Sequence, residues 1–155
     1  MTARENFKTG RTAGQFGMFC ACGVVLAIEI FYLGESLSQC WAFLIKLIRD
    51  FPDQFEPKER HFLGYDNACQ LKTYVDNQAE RYPFSIEAAS LAEMKKVHYR
   101  LHLRNHHVTC REGELDPDFY PELKGVNTEV AEQYYSHLLK FTKIFKNTTP
   151  ARAKV

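Results

Sequence analysis

Residues 61–77, HFLGYDNACQLKTYVDN, change from strand-like to helix-like spacing at one aspartate, Asp66. The short apolar run from His61 to Tyr65 predicts a buried strand. Residues 68–77 return to helical spacing, which predicts a helix directly after it. The Asp66 carboxylate should therefore lie where a strand ends and a helix begins, a common position for ligands in α/β proteins.

The residues upstream of this stretch predict a hairpin and a further helix. Two aromatic and β-branched runs, 16–22 and 24–33, meet at Gly23 and favour neighbouring strands joined by a tight turn. Apolar residues then recur at three- and four-residue steps, which predicts a helix from the N-cap Ser36 to Asp50.

Downstream, helical and extended patterns continue to alternate. The spacing predicts a helix over 86–96, a strand over 97–103, a loop over 113–125 and a long helix over 128–146. This order of elements predicts an α/β domain of two or three layers with a mixed sheet. Residues 1–13 are polar and aperiodic, so we expect a loose N-terminal segment before a domain over 14–155.

Composition fits one globular domain inside a cell. Hydrophobic residues make up 45% and charged residues 25% of the 155 residues, which excludes a disordered chain. The net charge of +1 predicts no global attraction to nucleic acid, so a DNA-binding surface would be a local patch. The most apolar stretch, 18–28, is shorter than the roughly 20 residues that span a bilayer, so we expect no membrane partner. An odd number of cysteines without a secretory signal indicates reduced thiols: Cys20, Cys22, Cys40, Cys69 and Cys110.

Two carboxylates have both a structural and a functional interpretation. Asp66 could N-cap the helix that follows it, since aspartate accepts hydrogen bonds from the first free amides. Glu132 lies between Val130 and Tyr134 in the last helix, where surface glutamates are common. Mg²⁺ prefers oxygen ligands, so the alternative is that Asp66 and Glu132 hold a shared divalent ion.

Histidine and cysteine are densest between those two acids, at His98, His102, His106, His107 and Cys110. His102, His106 and Cys110 follow one another at four-residue steps, which would place them on one face of a helix. With Cys69 as a fourth ligand they could form a tetrahedral Zn²⁺ site. The alternative is a set of ordinary polar histidines, because the spacing matches no recognised zinc finger.

The remaining reactive residues predict little chemistry. Cys20 and Cys22 could be ligands, but alternate positions in a strand favour small buried thiols. The serines lack a recognisable histidine and acid partner, and no glycine-rich phosphate loop follows a strand. A basic cluster toward the C-terminus is either a solvated surface or a contact for a phosphate backbone: Lys140, Lys143, Lys146, Arg152 and Lys154.

Four stretches, taken in order, resemble one family. They are GMFCACGVVLAIEIFYLGES (17–36), GYDNACQLKTY (64–74), HLRNHHVTC (102–110) and NTEVAEQYYSHLLKF (127–141). Together they resemble the catalytic core of transposases of the Kyakuja, Dileera and Zisupton group, over nearly all of the chain after residue 15. The resemblance implies an RNase H-like mixed sheet flanked by helices and a triad of two aspartates and a glutamate.

The same resemblance assigns roles to individual residues. It implies that Asp66 is the second aspartate of the triad, that Glu132 is the glutamate, and that Mg²⁺ or Mn²⁺ is the cofactor. The family's histidine and cysteine motif corresponds to His102, His106 and Cys110, and Tyr99 stands where that motif has an aspartate. DNA, as transposon ends, is the implied partner, with a nuclear location and a homo-oligomer as further expectations.

The first aspartate of the triad has no counterpart, because no aspartate precedes Asp50. We therefore expect a fragment that lacks the first catalytic strand and does not cleave DNA unaided. Two other interpretations stay open. One is a non-catalytic, zinc-stabilised module that binds nucleic acid or protein, and the other is a product of a decayed gene with no activity.

Overall fold

A computed structural model describes residues 14–31, 36–56, 60–106 and 113–140 of the chain. The chain divides into two compact units, Met1–Glu35 with Glu129–Val155, and Ser36–Thr128. Strands and helices are both present, so the predicted α/β class is confirmed. The RNase H-like arrangement and the domain over 14–155 stay predictions, and the proposed loose segment, 1–13, lies outside the described residues.

The described residues form four strands and five α-helices. In chain order they are β1 (Gly14–Phe19), β2 (Val25–Phe31), α1 (Leu37–Asp50), β3 (Phe62–Gly64), α2 (Ala68–Arg81), α3 (Ile86–Glu93), β4 (Lys95–Val97), α4 (Arg100–Leu103) and α5 (Val130–Leu139). Short 3₁₀ turns lie between them at Pro52–Phe55, Pro117–Phe119 and Pro121–Leu123. None of the helices within these described ranges is long and apolar enough to cross a membrane.

The first unit contains the predicted hairpin. β1 and β2 pair antiparallel, with Gly14 opposite Phe31 and a bulge after Met18. The connecting turn is closed by a hydrogen bond from Cys20 N to Val24 O at 2.8 Å. Gly23 has a φ of 92°, a conformation that a glycine adopts without strain. The turn therefore forms where the sequence predicted it.

Helix α5 packs against the hairpin within the same unit. The rings of Phe19 and Tyr134 have centroids 4.8 Å apart. The Tyr135 hydroxyl donates to Gln15 O at 2.9 Å. A Cβ on Gly17 would lie 2.6 Å from the Phe19 ring, so the absence of a side chain there allows the aromatic residues to cover β1. The predicted helix over 128–146 is confirmed as far as Leu139, and residues 141–155 are outside the described part.

The second unit begins with α1, whose limits match the prediction. The Ser36 hydroxyl accepts a hydrogen bond from Gln39 N at 3.3 Å, which satisfies one of the free amides at the helix start. The helix buries an apolar stripe made of Cys40, Phe43, Leu44, Leu47 and Ile48. The core of this unit also contains Leu71 and Val75 from α2 and Leu91 from α3, all fully buried.

A two-stranded parallel sheet crosses this unit. β3 and β4 pair with Phe62 opposite Lys95 and Gly64 opposite Val97. The predicted strand over 61–65 is confirmed, whereas the predicted strand over 97–103 is wrong. The partner strand is only three residues long, and the next amide, His98 N, bonds to Leu115 O at 2.9 Å instead. The chain then turns into α4.

Helix α3 ends earlier than the sequence predicted. It spans Ile86–Glu93 rather than 86–96, and Lys96 belongs to β4. The Lys96 ammonium donates to the carbonyls of Leu91 and Ala92 in the last turn of α3, at 2.8 Å for Ala92. A side chain from the following strand thus satisfies helix-end carbonyls that would otherwise lack donors.

The expectation that Cys20 and Cys22 are buried in a strand is wrong. Both residues lie in the turn between β1 and β2, where Cys22 is exposed and Cys20 is half-buried. The aromatic and β-branched run 16–22 predicted a strand here, but β1 spans Gly14–Phe19 and the turn already begins at Cys20.

Candidate metal centre

Three side chains of the second unit converge beside the β3–α2 junction. Cys69 lies in the first turn of α2, His98 follows β4, and His106 follows α4. Their nearest ligand atoms all lie within 4.8 Å of one another. Imidazole nitrogen and thiolate sulfur are the donors that zinc prefers in proteins. The arrangement is therefore a candidate centre for a zinc-type metal.

The backbone carbonyl of Asp66 orients both imidazoles. His98 Nδ1 and His106 Nε2 each lie 3.0 Å from Asp66 O. A carbonyl oxygen can only accept, so each of these ring nitrogens carries a hydrogen. The other nitrogen of each ring is then the one with a lone pair. Histidine ligands in proteins are usually held this way, with one N–H donated to a carbonyl or carboxylate.

The distance between the Cys69 and His106 donors fits a tetrahedral ion. His106 Nδ1 lies 3.8 Å from Cys69 Sγ. Ordinary zinc–sulfur and zinc–nitrogen bonds place two tetrahedral donors about 3.6 Å apart. The rings of His98 and His106 lie side by side, with centroids 4.0 Å apart. All three ligand atoms lie within 4.8 Å of one another, so the three side chains are close enough to be tested as ligands of one cation.

Burial lowers the pKa of His98 and so favours its neutral form. The residue is fully buried, and its Nε2 has no hydrogen-bond partner within the described residues. Burial is the main cause that lowers the pKa of His98, and nearby His106 lowers it further, while the bond to Asp66 O opposes both. A neutral imidazole is the form that binds a metal. A buried ring nitrogen without a hydrogen-bond partner, in a residue that belongs to this cluster, fits a metal ligand.

The structure brings together part of the predicted ligand set. Cys69 and His106 lie together, as the sequence predicted. The third member of the cluster is His98, which the predicted ligand set did not include. The ring of His102 packs edge-on against Tyr99 and lies outside the cluster. Its role as a ligand stays a prediction. Cys110 and His107 lie outside the described residues.

The position of His98 could have revealed it. His98 is the first residue after β4, and Asp66 is the second residue after β3. The two strands are parallel. The carboxyl ends of parallel strands meet at one edge of the sheet, where ligand-binding residues gather. The four-residue spacing pointed to His102 instead because it assumed one helix through the segment, whereas α4 covers only Arg100–Leu103.

The Asp66 side chain does not cap α2, so that interpretation is wrong. Asn67 occupies the N-cap position, and its side chain makes no capping bond either. Asp66 Oδ1 is buried and has no hydrogen-bond partner among the residues that the structure describes. A buried carboxylate oxygen without a donor is costly unless a cation or ordered water satisfies it. The Asp66 carbonyl thus accepts hydrogen bonds from the two histidines, while its carboxylate Oδ1 could still bind a cation.

Glu132 lies in the other unit. It is half-buried in the first turn of α5 and already takes part in interactions there. Since Asp66 belongs to the second unit and Glu132 to the first, a shared ion between them stays a prediction.

Of the predicted basic cluster, Lys140 is exposed, with Nζ 3.4 Å from His137 Nδ1, and its other members lie beyond the described part of the chain.

Comparison with known proteins identifies the family. No curated protein and no solved structure matches the chain. The model of the Kyakuja-Dileera-Zisupton transposase family matches residues 1–154, which is almost the whole sequence. This match confirms the resemblance that the four sequence stretches indicated. The chain belongs to the Kyakuja-Dileera-Zisupton transposase family.

Proposed function

We propose that this chain is a transposase-derived domain in which a zinc ion fixes the turn that carries a catalytic aspartate. The observation that supports this most directly is that both the backbone carbonyl and the carboxylate of Asp66 lie in the candidate site. Its carbonyl accepts hydrogen bonds from His98 and His106, and its buried Oδ1 has no partner in the described part of the chain. A metal held by the two histidines and Cys69 would therefore set the position of this carboxylate.

The carboxylate itself would serve DNA chemistry in a complete active centre. On the family pattern, Asp66 and Glu132 would hold Mg²⁺ or Mn²⁺ together with a third carboxylate on an RNase H-like sheet. The ions would stabilise the charge on a phosphodiester during in-line attack by water and then by a freed 3′ hydroxyl. DNA, as transposon ends, is the partner that this chemistry requires. On the same family pattern we propose a nuclear location and a homo-oligomer.

On the family pattern, Asp66 and Glu132 would be two members of that triad, and no aspartate stands before Asp50 in these 155 residues. A clamp that lacks one ligand does not align the attacking and leaving oxygens. We therefore expect a supercoiled plasmid to stay intact after incubation with the purified chain and Mg²⁺. Nicking that disappears in Asp66→Asn would contradict this expectation.

A second test asks whether Asp66 and Glu132 share an ion. Mn²⁺ binding can be followed through the relaxation rate of solvent protons, because the bound ion changes that rate. We expect weaker binding in Asp66→Asn and in Glu132→Gln, and unchanged binding in the exposed control Glu122→Gln. Equal Mn²⁺ binding by all four proteins would exclude the shared carboxylate site.

The alternative is a zinc-stabilised module without catalysis that binds nucleic acid or protein. The cluster of Cys69, His98 and His106 favours it, because such a site can stabilise a fold with no role in a reaction. Cys110 is the fourth ligand that we propose from the sequence. One zinc per chain together with no dependence of Mn²⁺ binding on Asp66 would favour the module over the catalytic remnant.

Zinc itself is tested by metal analysis of protein reconstituted with Zn²⁺ and then desalted. We expect about one zinc per chain, as in structural sites with closed ligand sets. Cys69→Ala should lose the bound zinc. The control Cys22→Ser changes an exposed thiol in the turn between β1 and β2 and should retain the zinc. Wild-type protein that retains no zinc would refute the metal centre.

A further inference from the structure

Two thiols of the first unit meet in the turn between β1 and β2. Cys22 Sγ lies 2.6 Å from Cys20 Sγ, and Cys22 N lies 3.4 Å from the same sulfur. A covalent disulfide has a sulfur–sulfur distance of about 2.05 Å, so the two atoms are already close to bonding distance. The small Ala21 is the only residue between them.

The turn holds this geometry through its backbone. Cys20 N donates to Val24 O and Gly23 N donates to Cys20 O, both at 2.8 Å. These two bonds fix the residues on either side of Cys22. The closed turn thus holds the backbone of the two cysteines so that their side chains can meet.

The two sulfurs differ in accessibility. Cys22 is exposed, while Cys20 is half-buried. The hydrogen bond with Cys20 is the main cause that lowers the pKa of the Cys22 thiol. The thiolate is the reactive form of cysteine, so Cys22 is the better nucleophile and the more accessible one. Cys40, by contrast, is buried at 1% exposure in α1.

We propose that Cys20 and Cys22 form a redox-active dithiol that is oxidised to an intrachain disulfide by small disulfides such as glutathione disulfide. The Cys22 thiolate attacks one sulfur of glutathione disulfide, which forms a mixed disulfide and releases one glutathione thiolate. Cys20 then loses its proton and attacks the Cys22 sulfur, which releases the second glutathione. Two protein thiols are oxidised and one glutathione disulfide is reduced to two glutathiones.

The direction of attack follows from the geometry. The exposed sulfur meets the reagent, and the half-buried sulfur, already in contact, resolves the mixed disulfide before another thiol can reach it. Cysteine pairs that act as redox sensors share this combination of an accessible thiolate and a neighbouring resolving thiol. The pair lies in a different unit from the zinc-type cluster, so its oxidation needs no metal ligand.

The test uses the zinc-reconstituted 155-residue chain and an excess of glutathione disulfide. Remaining thiols are blocked with N-ethylmaleimide, and chymotrypsin, which cleaves after Phe19 and Leu26, releases residues 20–26 for mass spectrometry. We expect this peptide to be unalkylated and lighter than the reduced peptide by two hydrogen atoms. Recovery of the peptide with two maleimide groups after this treatment would overturn the proposal.

Two variants separate the roles of the sulfurs. Cys20→Ser should stop at a stable mixed disulfide between Cys22 and glutathione, because the resolving thiol is absent. Cys22→Ser should react at least tenfold more slowly, because only the half-buried thiol remains. The matched control Cys40→Ser should form the disulfide as wild type does. Equal rates of glutathione attachment in the two single variants would also overturn the proposal. Unchanged circular dichroism would show that each variant is folded.

Discussion

At the scale of single residues, Asp66 links the two kinds of chemistry that the sequence suggested. Its backbone carbonyl belongs to the histidine cluster, and its carboxylate belongs to the predicted catalytic set. A substitution such as Asp66→Asn keeps the carbonyl and changes only the side chain. The zinc-type site and the carboxylate site can therefore be perturbed separately at one position.

His98 provides the sharpest test of the cluster. We expect His98→Ala to weaken Zn²⁺ binding by more than about tenfold, since even the partners of metal ligands contribute tenfold to a hundredfold. The measurement is competition for Zn²⁺ with a coloured chelator. The control is His102→Ala, whose ring packs against Tyr99 outside the cluster and should change affinity little. A larger loss in the control than in His98→Ala would show that the sequence-based ligand set was the better one.

At the scale of elements, Arg100 anchors the segment between α4 and α5. Its guanidinium donates to Asp118 Oδ1 and Leu123 O at 2.8 Å each, and to Val126 O at 2.5 Å. Its backbone amide bonds to the Thr128 hydroxyl at 3.2 Å. One side chain thereby satisfies two loop carbonyls and an acid, in a geometry that the planar fork of arginine permits and an ammonium does not.

Arg100→Lys should therefore destabilise the protein by about 2 kcal/mol, because two part-buried carbonyls lose their donors. Urea unfolding followed by circular dichroism measures the change in the free energy of unfolding. The exposed Arg104→Lys is the matched control and should stay within about 0.5 kcal/mol of wild type. Equal stability of the two variants would mean that the loop is not held by Arg100.

Lys96 should give the stability a specific pH dependence. The residue is only 4% exposed, and burial lowers its pKa from the ordinary 10.5 to about 8, although Asp76 and Glu114 oppose the change and Lys72 adds to it. Between pH 8 and 10.5 the unfolded chain binds more protons at this residue than the folded chain. The free energy of unfolding should therefore rise with pH across that window on account of Lys96.

The measurement compares unfolding at several pH values in wild type and Lys96→Met. Other lysines, tyrosines and cysteines titrate in the same range, so the difference between the two proteins is the informative quantity. We expect wild type to gain stability relative to Lys96→Met as the pH rises from 8 to 10.5. A constant difference across that range would show that folding does not lower the pKa of Lys96.

Local signals in the sequence predicted some elements well and others poorly. Ser36 as a helix cap and Gly23 in the hairpin turn act over a few residues, so the limits of α1 and the place of the turn were predicted correctly. The region after Val97 depends on contacts from far along the chain. His98 N bonds to Leu115 O and Arg100 N bonds to Thr128, and neither partner is evident from the alternating pattern of 97–103.

In the candidate site, too, local features were predicted from the sequence and long-range contacts were not. Residue type made Cys69 and His106 candidate ligands, and its place after a strand made Asp66 a candidate site residue. The choice between His98 and His102 required the parallel register of β3 and β4, because only that register brings His98 to the Asp66 carbonyl. Spacing along the chain carries no information about such a pairing.

At the scale of the whole molecule, the division into two units predicts an uneven response to metal removal. The ligand candidates all lie in Ser36–Thr128, which contains α1 to α4 and the parallel sheet. The hairpin and α5 form the other unit and are held by their own aromatic contacts, including Phe19 with Tyr134. Binding energy at a metal site stabilises the structure that forms the site.

Hydrogen exchange measured by mass spectrometry, with and without a chelator, tests this expectation. Removal of Zn²⁺ should raise exchange most in α2 and β4, which carry or adjoin Cys69 and His98, and least in β1 and β2. The control is Cys69→Ala, which should exchange in the same pattern without a chelator and should not respond when one is added. Faster exchange in both units to the same degree would mean that the chain opens as one cooperative body. The metal would then stabilise the whole fold rather than the Asp66 turn, and the zinc-stabilised module would be favoured over the catalytic remnant.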